Sequence, residues 1–432
     1  MQNERALSHN NKQSRHSVRL AVLLSIIPGA GQWYNRRWIK GTILFLMAAA
    51  FIISFFQFIS VGLWGLRTLG TIPGLDDSRA LIIQGILSLF LIVVGAGFYI
   101  FNLVDARQDA VKISEGWILP SVKDAFKNWW DAIFPYALIT PGFLLLIFVV
   151  VFPLLFMILL AFTNYDRYNA PPGNLLEWVG FENFLNIINV PIWRETFISV
   201  LSWTLVWTFV ATTLQIILAL VLAVFVNDER IKGKKLIRTV FILPWAVPAF
   251  VTILIFAALF NDNFGAVNQG IMEPLFGQSV PWLTDPLWSR TALIMIQVWL
   301  GFPFVFALFT GVLQSVSKEW YEAADVDGGS KLQKFQFITL PHVLFATAPL
   351  LIMQYSFNFN NFNIIYLFNE GGPAVRGQNA GGTDILISWV YELTFQNNMF
   401  NMAAAISLIM GLMIAAFAIL QFRRTKSFQE EG

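Results

Sequence analysis

Apolar residues in this chain fall in long unbroken runs rather than in amphipathic or alternating patterns. A helix needs about 20 apolar residues, at 1.5 Å each, to cross roughly 30 Å of hydrocarbon. Eight runs qualify: 41–61, 80–103, 138–162, 199–226, 239–260, 291–314, 343–368 and 401–422. The pattern predicts an all-α polytopic membrane protein with about eight transmembrane helices. A shorter run from Val18 to Ile27 meets Pro28, Gly29 and Gly31 and reads as an interfacial or half-inserted segment, its P-G-A-G-Q-W-Y-N stretch a structural turn. In the fifth run, L-P-W-A-V-P carries Pro244 and Pro248. Each removes a helix hydrogen bond and clashes with the preceding turn, which predicts a bend. Trp299, Gly301 and Pro303 predict a second interruption, in the sixth run. Irregular backbone at membrane depth is tolerated only where protein or a water-filled cavity covers it, so both segments are expected to face the bundle interior.

Composition agrees with a membrane solvent. The 432 residues are 56% hydrophobic and 12% charged, with mean hydropathy +0.63, which excludes an ordinary soluble enzyme. With 28 cations against 26 anions there is no strongly basic face for nucleic acid. The absence of cysteine excludes disulfides and thiol catalysis, and His9, His16 and His342 are too few and scattered for a metal site. Of the 28 Lys and Arg, 22 lie in alternate segments beginning with the N-terminal one. Cytoplasmic loops retain such cations, so both termini are expected in the cytoplasm.

The spans carry no ionisable residue away from their ends. A proton-coupled carrier normally needs one, so that class is disfavoured. A sodium-coupled sugar carrier working through carbonyls and hydroxyls, or a non-transporting scaffold, stays open. There is no phosphate-binding loop: Gly233, Lys234 and Lys235 lack both the first glycine and the hydroxyl residue, so any ATP would be hydrolysed on another subunit. What is polar at depth is neutral: Gln215, Gln297, Gln354 and the amides Asn358, Asn360, Asn361 and Asn363, interleaved with Tyr355, Phe357, Phe359 and Phe362. Amides match hydroxyl groups without a charge to desolvate, and aromatic faces match the apolar faces of sugars. The cluster suits a neutral polyhydroxylated ligand, and equally suits hydrogen bonding between helices. Gln215, standing alone, reads as structural.

The segment 320–341, W-Y-E-A-A-D-V-D-G-G-S-K-L-Q-K-F-Q-F-I-T-L-P, predicts two short helices. Gly328 and Gly329 break the first, Ser330 and Gln333 form a capping box for the second, and Pro341 ends it. Ala323 and Ala324 permit close approach, and Trp320, Tyr321, Leu332, Phe335 and Ile338 supply apolar area. Such a loop is covered either by another protein or by its own membrane domain.

Glu322, Ala323, Ala324, Asp327 and Gly328, followed by Ile338, Leu340 and Pro341, resemble the E-A-A-x-x-x-G-x(9)-I-x-L-P signature of ABC-importer permease subunits. I-L-P-W-A-V-P-A-F at 242–250, W-L-G-F-P-F at 299–304, F-N-F-N-N-F at 357–362, G-G-P at 371–373 and N-M-A-A-A-I-S at 401–407 extend the likeness to the larger permease of maltose/maltodextrin importers, the MalF type. The resemblance covers 134 to the C-terminus. It implies a type I importer core of six helices at 134–432 with a coupling loop at 315–342, preceded at 1–133 by an interfacial segment, two accessory spans and a cytoplasmic linker. It implies a bacterial plasma-membrane protein with a second related permease, a pair of ATPase subunits binding ATP and Mg, and an extracytoplasmic sugar-binding protein. No cofactor is implied on this chain. Maltodextrin is the expected substrate, another oligosaccharide such as a galactoside the alternative. Glu322, Ala323, Ala324, Asp327, Gly328 and Pro341 would contact the ATPase. Trp245, Ala249, Gln297, Leu300 and Gly301 would line the sugar pathway with Phe304, Gln354, Asn358 and Asn361. Several differ from the enteric permease, which has Tyr at the positions of Trp245 and Phe304, Ser at those of Ala249 and Gln354, and Asn at that of Gln297. This shifts the lining from hydroxyls towards stacking and longer amides. The external segment 164–195 lacks the large insertion of the enteric protein and resembles Gram-positive permeases, whose binding proteins are lipid-anchored.

Overall fold

The computed structural model describes residues 16–424 apart from 118 and 229; His9 and Lys426 lie outside them. Among the described residues the chain is helical, and it packs as two compact units divided between Val179 and Gly180.

The first unit contains α1 (Val18–Leu24), α2 (Ala30–Tyr34), α3 (Trp38–Thr68), α4 (Ser78–Ser114), α5 (Val122–Leu146), a π-helical turn at Ile147–Val151 and α6 (Phe152–Leu160). The first two spans are α3 and α4, longer at both ends than their apolar runs. The third is one helix from Trp129 to Leu160. The P-G-A-G-Q-W-Y-N stretch is structural, as expected. The Gly29 N–H donates to Asn102 Oδ1 at 3.1 Å, Gln32 Nε2 to the Asn102 carbonyl at 3.0 Å, and Asn35 Nδ2 to the Ala106 carbonyl at 2.8 Å. These bonds fasten α2 to α4, and Asn102 Nδ2 donates to the Ser25 carbonyl at the end of α1. Lys40 pairs with Asp105 at 2.5 Å and Asp109 at 3.4 Å, so the charges just beyond the two accessory spans neutralise one another. Leu20, Leu23, Leu24, Ile26 and Ile27 stay exposed, which suits an interfacial segment.

The second unit contains α7 (Glu182–Asn189), α8 (Pro191–Asn227), α9 (Lys234–Ala246), α10 (Ala249–Leu259), α11 (Glu273–Phe276), α12 (Pro286–Leu313), α13 (Lys318–Val326), α14 (Lys331–Lys334), α15 (Leu340–Phe359), α16 (Phe362–Asn369), α17 (Leu386–Phe395) and α18 (Phe400–Arg424). Among the described residues, seven helices are long and apolar enough to span, and α9 with α10 makes an eighth bent by 87°. The bend follows from local chemistry. Val247, before Pro248, adopts the extended region, φ −94° and ψ 131°, which the ring of a following proline favours over helix.

The core of this unit is α12 against α8. Trp203, Trp207, Leu293, Ile296, Phe306 and Phe309 are fully or almost fully buried there. Half of the most apolar stretch of α12 is buried, against 6% for the third span.

The sixth span corrects one expectation: α12 runs unbroken through Trp299, Gly301 and Pro303. Gly301 serves approach rather than interruption. A Cβ there would lie 1.9 Å from Gln215 Oε1, so only glycine lets the α8 amide reach the α12 backbone. A break occurs instead in the seventh span, where Asn360 and Asn361 separate α15 from α16. Asparagine amides compete with the backbone for hydrogen bonds and disfavour helix.

Candidate functional site

The three deep glutamines and one asparagine form a single directed chain of hydrogen bonds. Asn361 Nδ2 donates to Gln297 Oε1 at 3.0 Å. Gln297 Nε2 donates to Gln215 Oε1 at 3.2 Å. Gln215 Nε2 donates to Gln354 Oε1 at 3.3 Å. Three elements meet here. Gln297 and Gly301 lie one turn apart on α12, Gln215 comes across from α8, and Gln354 and Asn361 flank the break of the seventh span. Gln215 is fully buried and Gln297 nearly so, while Gln354 and Asn361 are half-buried. The inner amides are thus satisfied by one another, and the outer two reach the surface. Buried polar groups demand this satisfaction, since each orphan costs about 1–3 kcal/mol.

Beside the amides stands an aromatic pair. Trp245, in the last turn of α9 before the bend, is 58% exposed, and its ring meets that of Phe304 edge-on at 5.8 Å. Ala249, the first residue of α10, is exposed, and Leu300, Gly301 and Phe304 are half-buried. Trp245 lies two residues before the bend at Val247, and its ring packs on Phe304 of α12.

Asn358 is different. It is fully buried. Its Nδ2 donates to Thr212 Oγ1 at 2.8 Å, and its carbonyl accepts from Trp207 Nε1 at 2.9 Å. Both partners lie on α8, so Asn358 staples the broken end of α15 to that helix, and its Oδ1 is left without a partner. Asn360 and Asn363 are exposed. Of the nine lining positions read from sequence, Gln297, Gln354 and Asn361 belong to the amide chain, Gly301 packs against it and Trp245 and Phe304 form the aromatic pair. Leu300 packs on the hydrophobic core, Ala249 is exposed at the bend, and Asn358 is bound to α8. Sequence reasoning did not find Thr212 or Trp207, nor the central place of Gln215. The signal was a stripe of Thr204, Thr208, Thr212 and Gln215 at helical spacing along an otherwise apolar span, which marks a face turned to protein rather than lipid.

The loop 315–342 folds as two helices, as predicted. Gly328 adopts φ +74°, closing α13 while the Gly329 N–H bonds back to the Ala324 carbonyl at 2.7 Å. Ser330 and Gln333 form the capping box of α14. An ion pair between Lys334 and Asp325 joins α13 to α14, and a 2.9 Å bond between the Tyr321 and Thr339 hydroxyls joins α13 to the turn that follows α14. Glu322, Ala323 and Asp327 are exposed and Ala324 is half-buried. Val326 and Phe337, not singled out from sequence, are 89% and 75% exposed, and Leu332 and Trp320 are exposed with them. Pro341 corrects the reading of a helix end. It sits in the first turn of α15, and the chain runs from α14 into α15 through a π-helical turn at Phe335–Thr339. The Leu340 N–H bonds to the Phe335 carbonyl, five residues back. That widened turn absorbs the proline's missing donor and the clash of its ring.

The second unit thus combines a bent apolar span bearing an exposed aromatic, a buried amide chain and a two-helix loop with exposed apolar residues. Residues 215–426 match the model of the binding-protein-dependent transport system inner membrane component. The chain is 50% identical over 413 residues to the galactooligosaccharides transport system permease protein GanP of Bacillus subtilis, covering 96% of this chain and 99% of that one. It is 47% identical to the maltodextrin transport system permease protein MdxF of the same organism, covering 96% and 97%. Against the maltose/maltodextrin permease MalF of Vibrio vulnificus the identity is 38%, over 62% of this chain and 51% of that one. A crystal structure of a bacterial ABC transporter that imports alginate shares the fold at 21% identity, with a TM-score of 0.56 over 70% of this chain and 99% of that chain. The chain belongs to the permease subunits of binding-protein-dependent ABC importers, and it is a multi-pass membrane protein.

Proposed function

We propose that this chain is one half of the translocation pathway for a neutral oligosaccharide, maltodextrin in the first place. The observation that carries the reading is the chain of amides Asn361, Gln297, Gln215 and Gln354 beside the exposed Trp245 and Phe304. Its surface-facing ends offer neutral donors and acceptors next to an aromatic face, the chemistry a sugar needs. Sugar arrives from an extracytoplasmic binding protein and passes between this chain and a second related permease. A pair of ATPase subunits holding ATP and Mg docks on the loop 315–342, with Glu322 making a charge-assisted contact and Ala323 and Ala324 allowing close approach. The excess of Lys and Arg on alternate segments supports cytoplasmic placement of that loop and of both termini. The 50% identity to a galactooligosaccharide permease favours a second reading, in which the cargo is a galacto-oligosaccharide.

The test is ATP-dependent uptake in proteoliposomes holding the complete transporter and its binding protein, with labelled maltotriose and galactotriose offered separately. Uptake of one or both that falls several-fold in Asn361→Ala is expected, since a neutral hydrogen bond contributes about 0.5–1.5 kcal/mol. Sodium-driven uptake by this chain alone, or uptake indifferent to Asn361→Ala and Gln297→Ala together, would overturn the proposal.

A further inference from the structure

A cavity of about 410 Å³ opens between α8 and α12, away from the amide chain. It is lined by Ser199, Ser202, Trp203, Val206, Arg290 and Ile294, among others. It sits towards the N-terminal ends of the two spans, and so at the opposite end of α12 from the loop 315–342. Arg290 is half-buried there. Its Nε donates to the Gly382 carbonyl at 2.7 Å, and its guanidinium lies over the Trp203 ring at 4.7 Å. None of the ion pairs among the described residues includes Arg290. The acidic residues nearest it in sequence on these two elements are Asp285 and Glu195. Asp285 is engaged in capping α12, where its Oδ1 accepts from the Leu287 and Trp288 amides. Glu195, one turn before Ser199, is exposed.

A permanent cation recessed in a cavity, with no anion beside it, is costly unless something supplies the charge. We infer that the cavity holds the phosphate of an anionic membrane lipid. The layering of the walls selects a lipid. Arg290 and the hydroxyls of Ser199 and Ser202, which make no hydrogen bond among the described residues, stand where the apolar spans begin at 199 and 291. Val206 and Ile294 continue the wall towards the membrane interior. A phosphodiester would take the free guanidinium donors at the interface, and an acyl chain would follow the apolar wall below. The Trp203 face is already occupied by Arg290, which removes the stacking surface a sugar would use. A soluble anion would gain the charge contact and leave the apolar wall exposed.

The test uses the complete transporter, purified with its partner subunits and reconstituted in nanodiscs of defined lipid. Lipid retention is read by native mass spectrometry. Wild type is expected to retain phosphatidylglycerol over a neutral glucosyl diacylglycerol, and millimolar inorganic phosphate is expected not to displace it. Arg290→Gln should weaken retention about ten- to a hundredfold, the range for a charge-assisted bond. Because that variant also loses its bond to Gly382, Val206→Trp serves as a second. It fills the apolar wall, leaves Arg290 in place, and should expel the lipid while the melting temperature stays within a few degrees of wild type. Equal retention of charged and neutral lipid, retention unchanged in both variants, displacement by inorganic phosphate alone, or a partner-subunit carboxylate cross-linked to position 290 would each overturn the inference.

Discussion

Gly301→Ala is the sharpest test of the amide chain, because one methyl group separates steric cost from hydrogen-bond cost. The added Cβ would stand 1.9 Å from Gln215 Oε1, 2.6 Å from its Cδ and 3.1 Å from Gln297 Nε2. An exposed glutamine would swing aside at almost no cost. Gln215 is fully buried, so its amide can turn only by giving up its bond from Gln297 or its bond to Gln354. One buried amide orphaned costs about 1–3 kcal/mol. For a unit of this size that is a fall of roughly 2–10 °C in melting temperature. A chain of many spans does not unfold in two states, so the shift, not an extrapolated free energy, is the quantity to compare. Gln215→Ala removes the obstacle and has its own cost, two lost bonds and a cavity. In the double variant the new methyl meets no oxygen. Its shift is therefore expected to be smaller than the sum of the two single shifts by the equivalent of at least about 1 kcal/mol, the range seen for residues in contact. Melting of the purified transporter, followed by tryptophan fluorescence, gives all four corners of the cycle. Strict additivity, or a Gly301→Ala protein as stable as wild type, would show that the amide has room to move and that the chain is not a rigid unit.

Gly328→Trp should abolish ATP-driven uptake while the protein still inserts, checked by uptake against membrane-fraction immunoblots. No atom lies within 4 Å of a Cβ at Gly328, so the obstacle is the left-handed φ of +74°, at about 1–2 kcal/mol, together with bulk at the docking face. Normal uptake would reject the assignment of the loop. Asn358→Ala and Asn361→Ala should separate: the first lowers the melting temperature of the transporter, since it unstaples α15 from Thr212, and the second chiefly lowers uptake. Identical profiles would return both residues to one role. On α17, burial, the neighbouring Asp384 carboxylate and a shared hydrogen bond push Glu392 up from 4.5 to about 7, so between those values the folded chain holds a proton there that the unfolded chain has released. The resulting stability is full below pH 4.5 and is lost as pH rises through 7. Glu392 is only half-buried, so solvent screening limits the effect to about 1–2 kcal/mol. Glu392→Gln should flatten the pH dependence of melting between pH 5 and 7, and an unchanged slope would rule the residue out.

The eight spans were legible because hydrocarbon imposes a length and a composition that no soluble helix needs. The bend at Val247 was legible because proline acts on its own neighbours. The loop helices were legible for a similar reason, since Gly328 and the Ser330–Gln333 box are local chemistry. Expectations failed where the deciding partner was remote in sequence. Nothing near Gly301 says that Gln215, more than eighty positions earlier, fills the space its missing side chain leaves. The π-helical turn at Phe335–Thr339 before Pro341 is local, but such widened turns have no sequence signal comparable to a proline or a capping box. Asn358 and Asn361 look alike in F-N-F-N-N-F-N, and only the position of α8 makes one a staple and the other a surface-facing donor.

That division bears on how an uncharged pathway can be selective. A neutral hydrogen bond to a sugar is worth little unless its partner is held still, because the entropy of ordering a free glutamine, up to about 1.5–2 kcal/mol, would cancel it. Here the ordering is done before any ligand arrives. Gln215 and Gln297 are fixed by each other, Gln354 and Asn361 are each tethered at one end, and Trp245 is held by Phe304. The exposed side of this arrangement is a single wall, with Trp245 and Ala249 open beside it. A wall can orient a sugar ring but cannot exclude water from its other face. Closure therefore falls to a second surface, and it is on closure that the preset donors and aromatic face would gain their strength. On the function proposed above, such a chain positions its cargo without driving it, and the loop 315–342 is where another subunit would push.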